Sequence, residues 1–127
     1  MEDSNVRLVR EFIDAWNRQD LEAILERMHP DCELLPAESI RPIRGHAEFE
    51  ASFGKWFEAF ETFRADPDDF EVDGDRVLAH VTQRGRGKAS GVEVEQVFHQ
   101  LFGLSEGLVI RFEEFADDRD ARRAFLG

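Results

Sequence analysis

The sequence predicts an α+β fold, in which helices come first, strands follow, and a curved antiparallel sheet wraps around three helices. Through much of the first half of the chain, apolar residues recur every three or four positions, which is the period of an amphipathic helix. After Pro67 they alternate with polar residues, which is the period of a strand. Segregated helices and strands are typical of α+β proteins, and a strongly curved sheet leaves a cone-shaped cavity suited to a small ligand.

Two helices are predicted before the first proline. The first spans residues 4–18, where the apolar positions form one stripe. Asp20 is placed to cap a second helix, whose apolar positions continue to Met28. Pro30 disfavours helical geometry at His29 and so ends this helix. A short strand and then a loop are predicted next, over residues 32–35 and 36–45.

Six aromatic residues mark a third helix. Their spacing places them on one face, as a continuous stripe over about four helical turns. Such a stripe is usually part of a core, and it can also form one wall of a cavity. The six are Phe49, Phe53, Trp56, Phe57, Phe60 and Phe63.

The second half of the chain predicts four strands and a short C-terminal helix. Turns are expected at residues 73–75 and 105–107. The glycine-rich stretch 85–91 lacks the Lys-Ser/Thr ending of a phosphate-binding loop, so it is predicted to be a turn with bulged strand ends. Asp117 or Asp118 is placed to cap the last helix. The strands are predicted over residues 70–72, 77–84, 92–104 and 108–116.

Composition excludes several classes of function. The 127 residues carry 16 Lys and Arg against 28 Asp and Glu, a net charge of −12, which disfavours binding to nucleic acid or to an anionic membrane. The single cysteine, Cys32, excludes an internal disulfide and a cysteine-based zinc site. We expect one domain over residues 1–127 and a cytoplasmic location, since there is no long apolar run or signal peptide. No spacing of ligand residues indicates a metal, and no cofactor is expected.

Strand alternation predicts which side chains face the cavity. Successive side chains of a strand point to opposite faces, and the more apolar set is expected to face inward. This places Gln83, Gln100 and Glu114 among aromatic residues on the inner face, opposite His80 and His99. The two amides can orient a ligand oxygen or pair with each other, and the carboxyl can act as a general acid or base or simply reach solvent.

Four short patterns, in this order of elements, resemble the SnoaL-like family of the nuclear transport factor 2-like superfamily, which has the ketosteroid isomerase-like fold. The resemblance covers nearly the whole chain and implies a cystatin-like α+β barrel with one cavity. It says little about chemistry, because this fold hosts isomerases, cyclases, dehydratases, epoxide hydrolases and binding proteins. The patterns are residues 12–20, 29–33, 44–46 and 106–107.

The known sites of the superfamily are not intact here. The ketosteroid isomerase base, oxyanion tyrosine and protonated aspartate correspond to Pro36, Phe12 and Gln100. The Asp-Arg-Asp set of limonene epoxide hydrolase corresponds to Gln83, Val81 and Glu114, of which one carboxylate survives. Scytalone dehydratase relies on tyrosines, and this chain has none.

Two classes of function remain open at this point. One is a small-molecule enzyme of isomerase, cyclase or hydrolase type, in which Glu114 acts as acid or base on an apolar, oxygen-bearing substrate. The other is a non-catalytic binding or structural module. The resemblance also implies a homodimer through the outer face that contains His99 and Arg111. The expected cavity residues are Phe12, Trp16, Trp56, Gln83, Phe98, Gln100, Phe102, Phe112 and Glu114.

Overall fold

The computed structural model describes residues 2–37 and 39–127, which form four helices and six strands. In chain order these elements are α1 (Ser4–Asn17), α2 (Leu21–Glu26), β1 (Met28–Leu35), β2 (Ile43–Arg44), α3 (Gly45–Ala59), β3 (Phe60–Asp73), β4 (Arg76–Gly87), β5 (Glu93–Ser105), β6 (Leu108–Phe115) and α4 (Asp118–Leu126).

The strands form one curved sheet in the order β2-β1-β6-β5-β4-β3. The α+β class is therefore confirmed. All neighbours are antiparallel except β1 and β6, which run parallel, so the expectation of a wholly antiparallel sheet needs correction at this pair. The long connection from β1 through α3 and the β3–β5 meander lets β6 return beside β1 in the same direction, as parallel neighbours require.

Side-chain caps set the helix starts that the sequence predicts. The Asp20 carboxylate accepts the Ala23 N–H at 3.1 Å and begins α2. The Asp117 carboxylate accepts the Arg119 N–H at 2.7 Å and begins α4. Each carboxylate satisfies an amide that the first helical turn leaves without a partner.

Several element boundaries differ from the sequence-based expectation. The strand β3 begins ten residues before the predicted strand at 70–72, and β2 lies within the predicted loop 36–45. Met28 belongs to β1, so α2 ends two residues earlier than predicted. The aromatic stripe does not continue as a helix, because Phe60 and Phe63 lie in β3, where they pair with Gly87 and Gly85 of β4. Their spacing also fits a helix, and the long ladder between β3 and β4 overrides that local preference.

The main core lies between the concave face of the sheet and the helices α1 to α3. Inward residues of β4, including Val77, Ala79 and Val81, are fully buried there. Cys32 of β1 is also in this core, and burial, followed by the charge of Glu33, raises the pKa of its thiol to about 12. An unreactive structural role for this cysteine follows.

The C-terminal helix α4 covers part of the convex face. Its Ala121 and Phe125 pack on Leu78 and Leu101, which belong to β4 and β5. The Arg76 guanidinium donates to the backbone carbonyls at the end of α4, which are the groups that a helix leaves unsatisfied. The sheet is therefore enclosed on both faces near the middle of β4 and β5.

An asparagine joins the end of α1 to the edge strand β3. Asn17 Nδ2 donates to the Ala65 carbonyl at 2.7 Å, and Asn17 Oδ1 accepts the Ala65 N–H at 2.8 Å. This pair of bonds replaces a strand partner and fixes the position of the neighbouring Trp16. None of the helices over residues 2–37 and 39–127 is long and apolar enough to cross a membrane.

Candidate functional site

A cavity of about 150 Å³ lies between the concave face of the sheet and the helices α1 and α3. A closed cavity of about this size is large enough for benzene, so its inner part suits a single ring. The Trp56 side chain stands at its rim and is 39% exposed. A longer ligand could therefore extend outward past this residue.

One wall of the cavity is a cluster of aromatic rings around Trp16. The indole contacts Phe53 and Phe57 at centroid distances of 5.5 and 5.2 Å, and Trp56 at 6.2 Å. Edge-to-face and tilted rings at these distances attract one another beyond the gain from burial. The aromatic stripe therefore builds a cavity wall, with only its first member, Phe49, fully in the core.

The opposite end of the cavity holds one carboxylate with three N–H donors. Glu114 Oε2 accepts from Gln100 Nε2 at 2.9 Å and from Gln83 Nε2 at 3.0 Å. Glu114 Oε1 accepts the backbone N–H of Ala37 at 3.2 Å. Two amides and a backbone N–H are neutral, so they orient the carboxylate without cancelling its charge.

Curvature of the sheet brings the two amides to the same oxygen. Gln100 is the direct cross-strand partner of Glu114, and its other partner is Ala79 of β4. Gln83 lies four residues further along β4, which in a flat sheet is a separation of about 13 Å. The side chains converge because the concave face bends around the cavity.

Seven of the nine residues expected at the cavity lie on its wall. Whether they bind a ligand stays a prediction. They come from α1, α3 and the three central strands, which is why no single stretch of sequence contains the site. They are Phe12, Trp16, Trp56, Gln83, Gln100, Phe112 and Glu114.

Phe98 and Phe102 do not line the cavity, which corrects the expectation for both. Phe102 is fully buried beneath it, in edge-to-face contact with Phe12 at 5.7 Å and Phe112 at 5.1 Å. Phe98 pairs with Val81 of β4. The pairing between β5 and β6 ends at His99, so Phe98 lies beyond the part of β5 that β6 covers. Strand alternation predicts the face of a side chain, but not its depth or its place along the cavity.

Sequence reasoning missed the contribution of β1, β2 and the loop between them. Leu34, Pro36 and Ile43 line the cavity, and Ala37 supplies a backbone donor to Glu114. A backbone N–H leaves no trace in a sequence, and an irregular loop has no periodicity to follow. The one available signal was the resemblance, which placed a functional position at Pro36.

A second polar cluster lies on the convex face, under α4. The cross-strand pair His80 and His99 places the two Nδ1 atoms 2.8 Å apart. His80 Nε2 is 2.7 Å from Glu71 Oε2, and Arg122 of α4 donates to both oxygens of Glu71 at 2.9 and 2.8 Å. Asp118 Oδ1 is 3.7 Å from His99 Nδ1.

Charge neighbours shift the pKa values in this second cluster. Hydrogen bonds from Arg122 and then His80 lower the pKa of Glu71 to about 2. Burial, followed by the proximity of His80, lowers the pKa of His99. The carboxylate is therefore ionised and His99 is neutral at physiological pH.

Comparison with known protein families identifies this arrangement of elements. The family model for the SnoaL-like domain matches residues 9–112. The chain belongs to the SnoaL-like family. The match runs from the first helix to Phe112, and so includes the cavity wall except for Glu114. None of the curated protein sequences matches this SnoaL-like chain.

Solved structures share the same fold over nearly the whole chain. An NTF2-like protein of unknown function from Burkholderia pseudomallei is 23% identical, with a TM-score of 0.83, covering 96% of this chain and 97% of that one. TerC, co-crystallised with polyporic acid, is 21% identical, with a TM-score of 0.81, covering 98% and 100%. A protein from Jannaschia sp., named as a candidate SnoaL-like polyketide cyclase, is 25% identical, with a TM-score of 0.81, covering 95% and 90%.

The SnoaL-like fold explains which family positions remain near the cavity. Pro36, Phe12 and Gln100, which the sequence resemblance matched with the ketosteroid isomerase site, all line the cavity. Val81, which the resemblance matched with the epoxide hydrolase arginine, is fully buried in the core. This protein thus has the cavity, but it has neither the complete ketosteroid isomerase set of side chains nor the complete epoxide hydrolase set.

Proposed function

We propose that this SnoaL-like protein binds a small, largely apolar molecule with one or two oxygens, and that Glu114 acts on it as a general base. The main supporting observation is that Gln83, Gln100 and the Ala37 N–H hold the Glu114 carboxylate at the cavity wall. These neutral donors hold the carboxylate in place without pairing it with a cation, so it is free to interact with a ligand.

The two oxygens of Glu114 differ in how many donors they already have. Oε2 accepts from both glutamine amides, while Oε1 accepts one longer bond from a backbone N–H. A carboxylate oxygen can accept two hydrogen bonds, so Oε1 is the oxygen suited to take a proton. The proton would come from a ligand hydroxyl, or from a C–H group that a neighbouring carbonyl makes acidic.

The apolar wall supports a ligand with at least one ring. Phe12 and Trp16 of α1 and Phe112 of β6 line the same cavity as Glu114. Aromatic walls provide burial, and a few polar groups provide orientation, which is the usual division of roles in small-molecule sites. The similarity to TerC, which was co-crystallised with polyporic acid, and to a candidate polyketide cyclase agrees with such a ligand class.

Ligand binding can be tested through intrinsic fluorescence. The chain has two tryptophans, Trp16 and Trp56, and both line the cavity. A panel of hydroxylated and keto-substituted ring compounds, with polyporic acid as one member, should include compounds that quench this fluorescence saturably. Failure of every oxygen-bearing ring compound to quench it or to raise the melting temperature would contradict the proposal.

Catalysis can be tested with two adjacent glutamates. With a ring ketone that binds, NMR can follow hydrogen–deuterium exchange beside its carbonyl. Glu114→Gln should slow this exchange about 10²–10⁴-fold, the contribution expected of a general base, while changing binding only a few-fold. Glu113→Gln is the control, because Glu113 is the next residue on β6 and pairs with Arg111 at 2.8 Å. Equal rates in both variants would exclude the catalytic role of Glu114.

The alternative is a carrier that binds without catalysis. The observation in its favour is that Glu114 Oε2 already accepts two amide donors, an arrangement that also suits a purely structural carboxylate. A carrier would show saturable quenching without hydrogen exchange in the wild type. The two functions are therefore separated by the same pair of measurements.

The homodimer also remains a proposal, together with the single domain and the cytoplasmic location. His99, which we expected at the dimer face, is instead covered by α4, where it contacts Asp118. Any pairing of two copies would use the uncovered part of the convex face, which includes the exposed side chain of Arg111. Light scattering that gives only a 14.7 kDa species at high micromolar concentration would contradict the dimer.

A further inference from the structure

The convex cluster under α4 has a geometry that the proposed function does not use. Three side chains from β4, β5 and α4 each offer one ligand atom, and these atoms all lie within 4.8 Å of one another. They belong to His80, His99 and Asp118, which are far apart in sequence, so no spacing pattern could reveal them. The two histidine side chains are only 15% and 13% exposed.

We propose that His80, His99 and Asp118 bind a divalent transition-metal ion of the zinc class, which fastens α4 to the sheet. Two imidazoles and one carboxylate, with a fourth position open to water, form a common donor set for zinc. The site requires neither the cavity nor Glu114, so it stands independently of the proposed function.

The distances are close to those that a metal requires. Two nitrogens bound to one tetrahedral zinc ion, at about 2.0–2.1 Å each, lie about 3.3 Å apart. The two Nδ1 atoms of His80 and His99 are 2.8 Å apart, and Asp118 Oδ1 is 3.7 Å from His99 Nδ1. Shifts of about half an ångström bring these two contacts to the required distance, and the third pair, His80 and Asp118, lies within 4.8 Å.

The hydrogen bonds around His80 hold its Nδ1 ready to coordinate. Glu71 accepts the Nε2–H of His80 at 2.7 Å, so Nδ1 is the ring nitrogen that faces His99 and is available to a metal. Metal-binding histidines usually donate their second N–H to a carboxylate in this way. When a metal is bound at Nδ1 of His99, the hydrogen of that ring is on Nε2.

The charges around the cluster favour a cation despite two arginines. Arg122 holds Glu71 through two bonds and lies 3.5 Å from Asp118 Oδ2. Asp118 can therefore use Oδ1 for the metal while Oδ2 stays near Arg122. Arg119 lies 3.7 Å from Asp117. The carboxylates of Glu71, Asp117 and Asp118 exceed these two guanidiniums by one negative charge, which favours binding of a cation.

The test is titration of the metal-free protein with Zn²⁺ and Co²⁺, with Mg²⁺ as the comparison ion. Calorimetry should give one Zn²⁺ per chain, and Co²⁺ should give the visible absorption of a tetrahedral complex. Zn²⁺ should also raise the melting temperature, whereas Mg²⁺ should not, because it prefers oxygen ligands.

Matched variants identify the ligands. His80→Gln and His99→Gln should each weaken Zn²⁺ binding at least about tenfold, and Glu71→Gln should weaken it about 10–100-fold through the orientation of His80. His29→Gln is the control, because His29 lies in β1, which β6 separates from β5. Equal affinity in the wild type and in His80→Gln or His99→Gln would overturn the proposal, as would an equal loss in His29→Gln.

A fourth variant decides the result if a buried histidine variant does not fold. Asp118 is about half exposed, and it follows the capping residue Asp117, so Asp118→Asn leaves the start of α4 intact. Circular dichroism would verify the fold. Weaker Zn²⁺ binding and a smaller rise in melting temperature would support the site, and unchanged affinity would overturn it.

Discussion

The two faces of the sheet carry polar clusters built from neighbouring residues of the same strands. On the concave face, Gln100 and Gln83 surround a carboxylate with neutral donors. On the convex face, His99, one residue earlier, belongs to a network in which Arg122 compensates Glu71 directly. Strand alternation thus separates two environments that are one residue apart in sequence.

The difference between the faces lies in how each carboxylate is held. The cavity leaves the charge of Glu114 uncompensated by any cation in its hydrogen bonds, which suits a group that must react with a ligand. The convex network pairs its charges at short distance, which suits fastening α4 or binding a metal. We therefore expect reaction with a ligand on the concave face of the sheet, and attachment of α4 on the convex face.

The largest expected effect is on the free energy of unfolding, when adjacent residues that pack on opposite faces of the sheet are truncated. Phe102 is fully buried in the main core, whereas Leu101, 6% exposed, belongs to the smaller cluster under α4. Phe102→Ala should lower the free energy of unfolding by about 3–5 kcal/mol, because the cavity floor cannot collapse. Leu101→Ala should cost about 2 kcal/mol, at the low end for a buried leucine, because α4 can settle onto the sheet.

Urea denaturation of the two variants and the wild type gives both values. Far-ultraviolet circular dichroism, which reports all the helices together, and tryptophan fluorescence should show coincident transitions in each case. A larger loss in Leu101→Ala than in Phe102→Ala would show that the convex face, and not the cavity floor, dominates the stability of the fold.

A smaller effect is expected in the coupling between hydrogen-bonded partners. Gln100 is only 7% exposed and donates to Glu114, and a hydrogen bond to a charged group contributes about 1.5–3 kcal/mol. A double-mutant cycle with Gln100→Leu and Glu114→Leu should give a coupling in this range. The cycle between Arg122 and Glu71 should give less, because the Arg122 side chain is 43% exposed and water screens the pair.

The measurement is the free energy of unfolding for each single and double variant in the presence of a chelator, so that no metal contributes. A coupling between Arg122 and Glu71 that equals or exceeds the coupling inside the cavity would contradict the proposed contrast between the faces.

Sequence patterns predicted the fold and the polar residues of the cavity wall because both depend on periodicity. Alternation along β4, β5 and β6 placed Gln83, Gln100 and Glu114 on one face, and their side chains meet in the structure. The turn and cap signals also gave correct element boundaries near Asp20 and Asp117.

What the sequence did not predict depends on contacts between distant segments. Phe60 and Phe63 keep a helical spacing but pair in a ladder with β4, and Phe98 lies on the inner face but away from the cavity. The Ala37 N–H reaches Glu114 from a loop without periodicity. His99 and Asp118 meet only because α4 folds back over the sheet.

The smallest expected effect is a pH dependence confined to the convex face. The pKa of Glu71 is lowered from 4.5 to about 2, chiefly by its hydrogen bonds from Arg122. A depressed carboxyl pKa stabilises the folded state fully above about pH 4.5, and this stabilisation is lost as the pH falls toward 2. Arg122→Gln should therefore lower the urea midpoint slightly at pH 7, and its difference from the wild type should shrink between pH 4.5 and pH 2. Arg123→Gln is the matched control, because Arg123 is 81% exposed and its carboxylate partner, Asp120, is 4.0 Å away. A difference between wild type and Arg122→Gln that stays constant over this pH range would show that Arg122 acts through packing and not through the charge of Glu71.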